Sequence, residues 1–110
     1  MIDDRIQRTE ASVKGAGDIP EQTKAEILEL LAQLQAKISQ LSETHSEDAT
    51  SIAQFVEAST HQAIRSTRKP GLLQSALQGL QQSVDGFEAS HPEMVVTVNR
   101  FATSLANMGL

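Results

Sequence analysis

Large apolar residues return along this chain at intervals of three and four, and short polar stretches interrupt them. Such spacing places side chains on one face of a helix, so the pattern predicts a succession of amphipathic helices. The first, residues 2–14, carries a thin stripe of Ile2, Ile6 and Val13 with Thr9 between, and Gly15-Ala16-Gly17 ends it. Glycine there is expected to close the helix in the left-handed conformation. Asp18-Ile19-Pro20-Glu21 then reads as a capping box, Asp18 accepting from a first-turn N–H while Glu21 reaches back to the cap. Proline suits that first turn, where an N–H has no intrahelical partner. The stripe that follows is Ile27, Leu31, Leu34, Ile38 and Leu41, widened by Leu28 and Leu30.

Residues 42–51 contain no large apolar side chain. Either the helix runs on there as a solvated stretch, or Thr44-His45-Ser46-Glu47 opens a new one. Ser, Thr and Asp prefer caps and turns to helix interiors, which favours the break. A third segment, residues 48–69, carries Ile52, Phe55, Val56, Ala63 and Ile64. It closes on Arg65, Arg68 and Lys69 before Pro70-Gly71. Cations in a last turn complement the helix dipole, and the residue before proline leaves the helical region. The fourth segment shows Leu73, Leu77, Leu80, Val84 and Phe87, with Gly79 and Gly86 weakening it or allowing close helix contact. The fifth starts at a second box, Ser90-His91-Pro92-Glu93, with Ser90 and Glu93 as caps. Its stripe is Met94, Val98, Phe101, Leu105 and Met108.

The fold expected from this pattern is all-α: one domain over residues 1–110, an antiparallel helical bundle of four or five segments. Short polar connections favour antiparallel neighbours, and the regular spacing favours coiled-coil-like packing. The core must be aliphatic, because the chain holds three Phe and no Tyr or Trp. With no cysteine, disulfides, thiolate catalysis and Cys-type zinc sites are excluded, and a reducing cytoplasm is the expected compartment. The charged start MIDDRIQRTE does not resemble a signal peptide, and no apolar run is long enough to span a bilayer. Net charge is −5, with nine scattered basic residues, which disfavours nucleic acid and anionic membrane alike.

Candidate chemistry is thin. His61 has Glu57 four residues before it, a spacing that reads as an exposed charge pair more readily than as a ligand set. His45 lies among Glu43, Glu47 and Asp48; two of these groups could touch a divalent cation weakly, with no third ligand fixed by spacing. His91 stands in the first turn of a helix, where positive charge is disfavoured. No serine occupies a strained nucleophile turn, and Gly15-Ala16-Gly17 lacks the strand and lysine of a phosphate loop. The neighbouring carboxylates Asp3-Asp4 and Glu47-Asp48 point to different helix faces. Arg65, Arg68 and Lys69 form the one basic cluster, read as helix-terminus chemistry rather than an anion site. No catalytic residue, cofactor or metal site is called for.

Charge is also sparse near the end: from Gly71 to Leu110 only four side chains carry it. Two readings follow. Both late helices are central to a monomeric bundle, or their faces form a surface for a partner or a second copy, since interfaces deplete charge at their centres. The second is preferred, with Leu73, Leu77, Leu80, Val84, Phe87, Met94, Val98, Phe101, Leu105 and Met108 as the interface.

Phe87-Glu88, His91-Pro92 and the ending Ser104-Leu-Ala-Asn-Met-Gly-Leu110 resemble a small bacterial family of uncharacterised helical proteins, a domain of unknown function whose members end close to FE-x-x-HP…L-x-x-MG-[IL]. The likeness is close over residues 84–110 and loose over 2–43, and residues 45–75 look longer than the family's middle region. It implies a helical fold and no catalytic residues. The function expected is therefore a non-enzymatic, self-associating interaction module, a homo-oligomer that also meets a protein partner. The alternative is a ligand- or metal-binding regulatory bundle built on His45, His61 and nearby carboxylates.

Overall fold

The computed structural model describes residues 2–109, and the side chains of Ile2 and Asp3 lie outside what it describes, as does Leu110. Among the described residues there are five α-helices and no strand: α1 (Ile2–Gly15), α2 (Glu21–Ser42), α3 (Ser46–Ile64), α4 (Pro70–Val84) and α5 (Pro92–Gly109). The all-α bundle is as the spacing predicts, and the break within residues 42–51 is there, narrowed to three residues.

The helix starts depart from the capping boxes, for one physical reason. α2 begins after Pro20 (φ −56°, ψ 144°) with no side-chain cap hydrogen bond, so Asp18 is not its cap; the Glu21 carboxylate instead lies 3.8 Å from Lys24 Nζ. A residue preceding proline is pushed out of the α region, so Ile19 cannot be the first helical residue that the box required. Ile19 is buried and anchors the turn by packing. The same restriction holds His91 outside α5, which starts at Pro92. Ser90 sits in the preceding turn with its hydroxyl on His91 Nδ1, and Glu93 pairs with Lys37 at 3.2 Å. At α3, the N-cap is His45, again with no side-chain cap bond.

Two other ends differ from the expectation. α3 stops at Ile64, so Arg65, Arg68 and Lys69 follow the helix instead of forming its last turn; Arg68 Nε still reaches back to the Ala63 carbonyl at 2.9 Å. Gly86 is the one described residue with a left-handed φ, +95°, so Gly15 ends α1 without that conformation.

Helices α2 to α5 form a ring of neighbours, with α3 and α5 also meeting across the middle. Lys37 of late α2 meets Glu93 of early α5, and Ser104 of late α5 donates to Glu26 of early α2 at 2.8 Å, so this pair is antiparallel. α1 lies over the α2–α3 seam and touches neither α4 nor α5. Ile6, Thr9 and Val13 are its buried stripe, and Arg5 and Arg8 reach Glu57 of α3 at 2.6 and 3.5 Å.

α3 alone touches all four other helices. Its buried surface is correspondingly slim: Ala49, Ala53, Ser59, Thr60 and Ala63 alternate with Ile52 and Val56. Small side chains bring helix axes closer, which lets several neighbours share one helix. The hydroxyls of Ser59 and Thr60 donate to carbonyls of their own helix, Thr60 to Val56 at 2.7 Å, so they are buried without an unmet polar group.

Gly79 brings α4 close to α3, because a Cβ there would press into the Phe55 ring, with Cδ1 at 2.7 Å and Cζ at 2.9 Å. Helix propensity alone would reward Gly79→Ala by about 1 kcal/mol. The clash reverses the sign: Gly79→Ala is expected to destabilise the fold by about 1–3 kcal/mol, the usual cost of overpacking. Urea denaturation of both chains checks it, and an unchanged or raised midpoint contradicts the contact. Phe101→Ala, at the largest fully buried side chain, is expected to cost about 3–5 kcal/mol in the same assay.

Candidate functional site

The α4–α5 connection is built around Gly86 and Phe87. Gly86 takes the left-handed turn, and its N–H donates to Glu88 Oε2 at 2.9 Å. The Phe87 N–H donates to the Val84 carbonyl, and the Phe87 carbonyl accepts from the His91 N–H at 2.7 Å. Those bonds turn the half-buried Phe87 ring onto the core's end. Phe87, Glu88, His91 and Pro92 thus serve the geometry of one turn.

Against that ring lie two imidazoles. Ring centres are 5.5 Å apart for Phe87–His45, 5.7 Å for Phe87–His91 and 6.4 Å for His45–His91, all nearly perpendicular. Edge-to-face contact suits the positive edge of one ring to the negative face of another. His45 comes from the α2–α3 connection and His91 from the α4–α5 connection, so both turns meet at this end of the bundle. The pairing of His45 with His91 had no signal in the sequence, since 46 residues separate them and neither shares a helix face with the other.

His61 is elsewhere. It lies sixteen residues along α3 from His45, about 24 Å at helical rise. There it lines a groove between α1 and α3 with Thr9, Ser12, Gln54 and Glu57. The Glu57 carboxylate is taken by Arg5 and Arg8, so the expected His61–Glu57 pair does not form and His45 and His61 cannot share one ligand. Among the described residues no group of three or more His, Asp or Glu is placed to hold a metal ion. In the basic cluster, Arg65 Nη1 donates to Gln62 Oε1 and Arg68 to Ala63, which is chemistry of a helix end.

The residues expected to form an interface are instead the core. Leu73, Leu77, Leu80, Val84, Met94, Val98, Phe101 and Leu105 are buried inside the chain's own bundle, and Phe87 and Met108 are half-buried against it. The stripe of α5 is covered by α2, α3 and α4. A stripe marks only that something covers it; here the same chain does.

What α4 leaves outside has a different character. No residue of α4 is charged, and its exposed side chains are Pro70, Leu72, Gln74, Ser75, Gln78, Gln81 and Gln82. Leu72 and Val96 of α5 are the exposed large hydrophobics, at 48% and 49%. Both stand beside the stripes, so helical spacing alone carries no signal for them. Val96 borders a groove of about 560 Å³ between α2 and α5, lined also by Glu26, Glu29, Leu30, Asn99 and Arg100.

No helix among the described residues is long and apolar enough to cross a membrane. Residues 27–110 match a family described as a domain of unknown function (DUF4404). The match runs through residues 45–75 and starts inside α2, leaving α1 outside it. Neither the curated proteins nor the solved structures searched contain a match.

The turn geometry makes a direct test. Gly86→Ala places a side chain in a left-handed conformation and is expected to cost about 1–2 kcal/mol. Ala at the neighbouring exposed Ala89 position is already present, so Ala89→Gly serves as the control for a simple change of turn composition. A thermal melt in which Gly86→Ala matches the parent chain contradicts the turn.

Proposed function

We propose that this chain, which belongs to the DUF4404 family of domains of unknown function, is a non-enzymatic interaction module that self-associates through the outer face of α4. The observation that carries this reading is electrostatic. The chain has a net charge of −5, yet the exposed side chains of α4 are amides, a hydroxyl, Pro70 and Leu72, without one charge. Two acidic copies repel wherever their carboxylates meet, and interface centres are depleted in charge. The α4 face is where two copies approach with least repulsion. Amide side chains there donate and accept, so each is matched by its own kind across a two-fold axis.

The non-enzymatic part of the reading rests on where the polar groups are spent. The buried hydroxyls of Thr9, Thr60 and Thr97 each donate to a carbonyl one turn back, and buried Ser104 donates to Glu26. The three threonine hydroxyls are spent inside their own helices, and Ser104 ties α5 to α2. In this reading the module works in the bacterial cytoplasm, and its further partner is a protein, since the acidic surface repels phosphate backbones and anionic lipid.

Light scattering after size exclusion is expected to give a mass above one chain at high micromolar concentration. Leu72→Glu with Gln78→Glu is expected to return it to the monomer with an unchanged melting temperature at low concentration. A parent chain that stays monomeric at high micromolar concentration overturns the proposal, as does an oligomer that survives the double substitution.

A further inference from the structure

We propose that His45 and His91 form a two-imidazole site for a divalent transition metal, of the zinc, nickel or copper class, at the end of the bundle where the two turns meet. The site is independent of the α4 surface. Imidazole nitrogen suits these metals, and two rings bound to one ion at ~2.1 Å per bond have centres about 5–6.5 Å apart. The observed 6.4 Å is at the wide end of that range.

Hydroxyl contacts set the nitrogens. Thr44 has one hydroxyl hydrogen, directed at the Leu41 carbonyl 3.4 Å away. In the tautomer where its oxygen accepts from His45 Nδ1, 2.8 Å away, the proton is on Nδ1 and the lone pair on Nε2. Metal-binding imidazoles are characteristically held in this way, the second nitrogen donating to an oxygen that fixes ring and tautomer. His91 repeats the arrangement, with Nδ1 3.0 Å from the Ser90 hydroxyl. In the tautomer where the Ser90 oxygen accepts from Nδ1, His91 Nε2 takes the same role. Phe87 backs both rings and limits their tilt.

Two helix N-termini oppose a cation at this place. Carboxylates offset them: Glu47 and Asp48 in the first turn of α3, and Glu88 in the turn between α4 and α5, while Glu93 is spent on Lys37. Water completes the coordination, because two imidazoles are the protein's whole contribution.

The test is calorimetric titration of the full chain, stripped with EDTA, using zinc chloride and separately nickel chloride. One ion per chain is expected. His45→Ala and His91→Ala should each remove the binding heat, Thr44→Val should weaken binding by about tenfold, as changes to supporting hydrogen bonds do, and His61→Ala should change nothing. A second measurement does not depend on how the variants fold. Nickel added to the unaltered chain should broaden the ring proton signals of His45 and His91 before those of His61. Absence of binding, full affinity in either the His45 or the His91 variant, an ion shared by two chains, or His61 broadened first would each overturn the site.

Discussion

One slim helix has to touch everything else in this molecule. α3 contacts α1, α2, α4 and α5, and no other helix contacts all four of its companions. A helix with Leu at every inward position would hold its neighbours at the long end of the usual 8–10 Å spacing and leave gaps between them. Ala49, Ala53, Ser59, Thr60 and Ala63 remove that bulk, and Gly79 does the same from the facing side of α4, where the Phe55 ring fills the space. Larger residues arrive from the neighbours instead, such as Leu31, Leu34 and Ile38 of α2, Leu73 and Leu80 of α4, and Phe101 of α5. Large groups on the outer helices thus meet small ones on the inner helix, with Phe55 against Gly79 the reverse case, and the core closes without an unpartnered buried polar atom among the described residues.

That division of labour also explains the surface. The apolar stripes of α4 and α5 are used up by their own bundle, so what they present outward was never selected by packing. On α4 it is a run of amides and hydroxyls with no charge. On α1 it is the reverse: few apolar contacts and charged side chains, with Arg5 and Arg8 on Glu57. The Arg5–Glu57 pair is partly buried and Arg8 is exposed; surface pairs stabilise by no more than about 1 kcal/mol each, so α1 is held mainly by Ile6, Thr9 and Val13. The family match begins after α1, in keeping with a helix added over a seam that the other four already form.

Two of the three proline-containing helix starts differ from the expected capping boxes for one reason. Each box requires a helical residue before proline, and in Asp18-Ile19-Pro20 and Ser90-His91-Pro92 the steric restriction on that residue wins. The consequence reaches the site. Because His91 is kept outside the helix, its ring is turned toward Phe87 and His45 instead of along α5. His45, outside α3 at φ −136°, does the same from the other turn.

The spacing of Ile27 to Leu41, Leu73 to Val84 and Met94 to Leu105 is sufficient to establish three of the five helices, their inward faces and an all-α bundle. Local physics governs those features, since a period of three to four residues is imposed by the helix itself. Which chain covers each stripe could not be read from the stripe, because burial against a neighbour and burial against a second copy demand the same residues. Nor could the meeting of His45 with His91, which depends on two turns lying at one end of the bundle. Tertiary structure decided both, through the order in which four helices close around α3, which leaves the turns and the uncharged outer face of α4 at the surface.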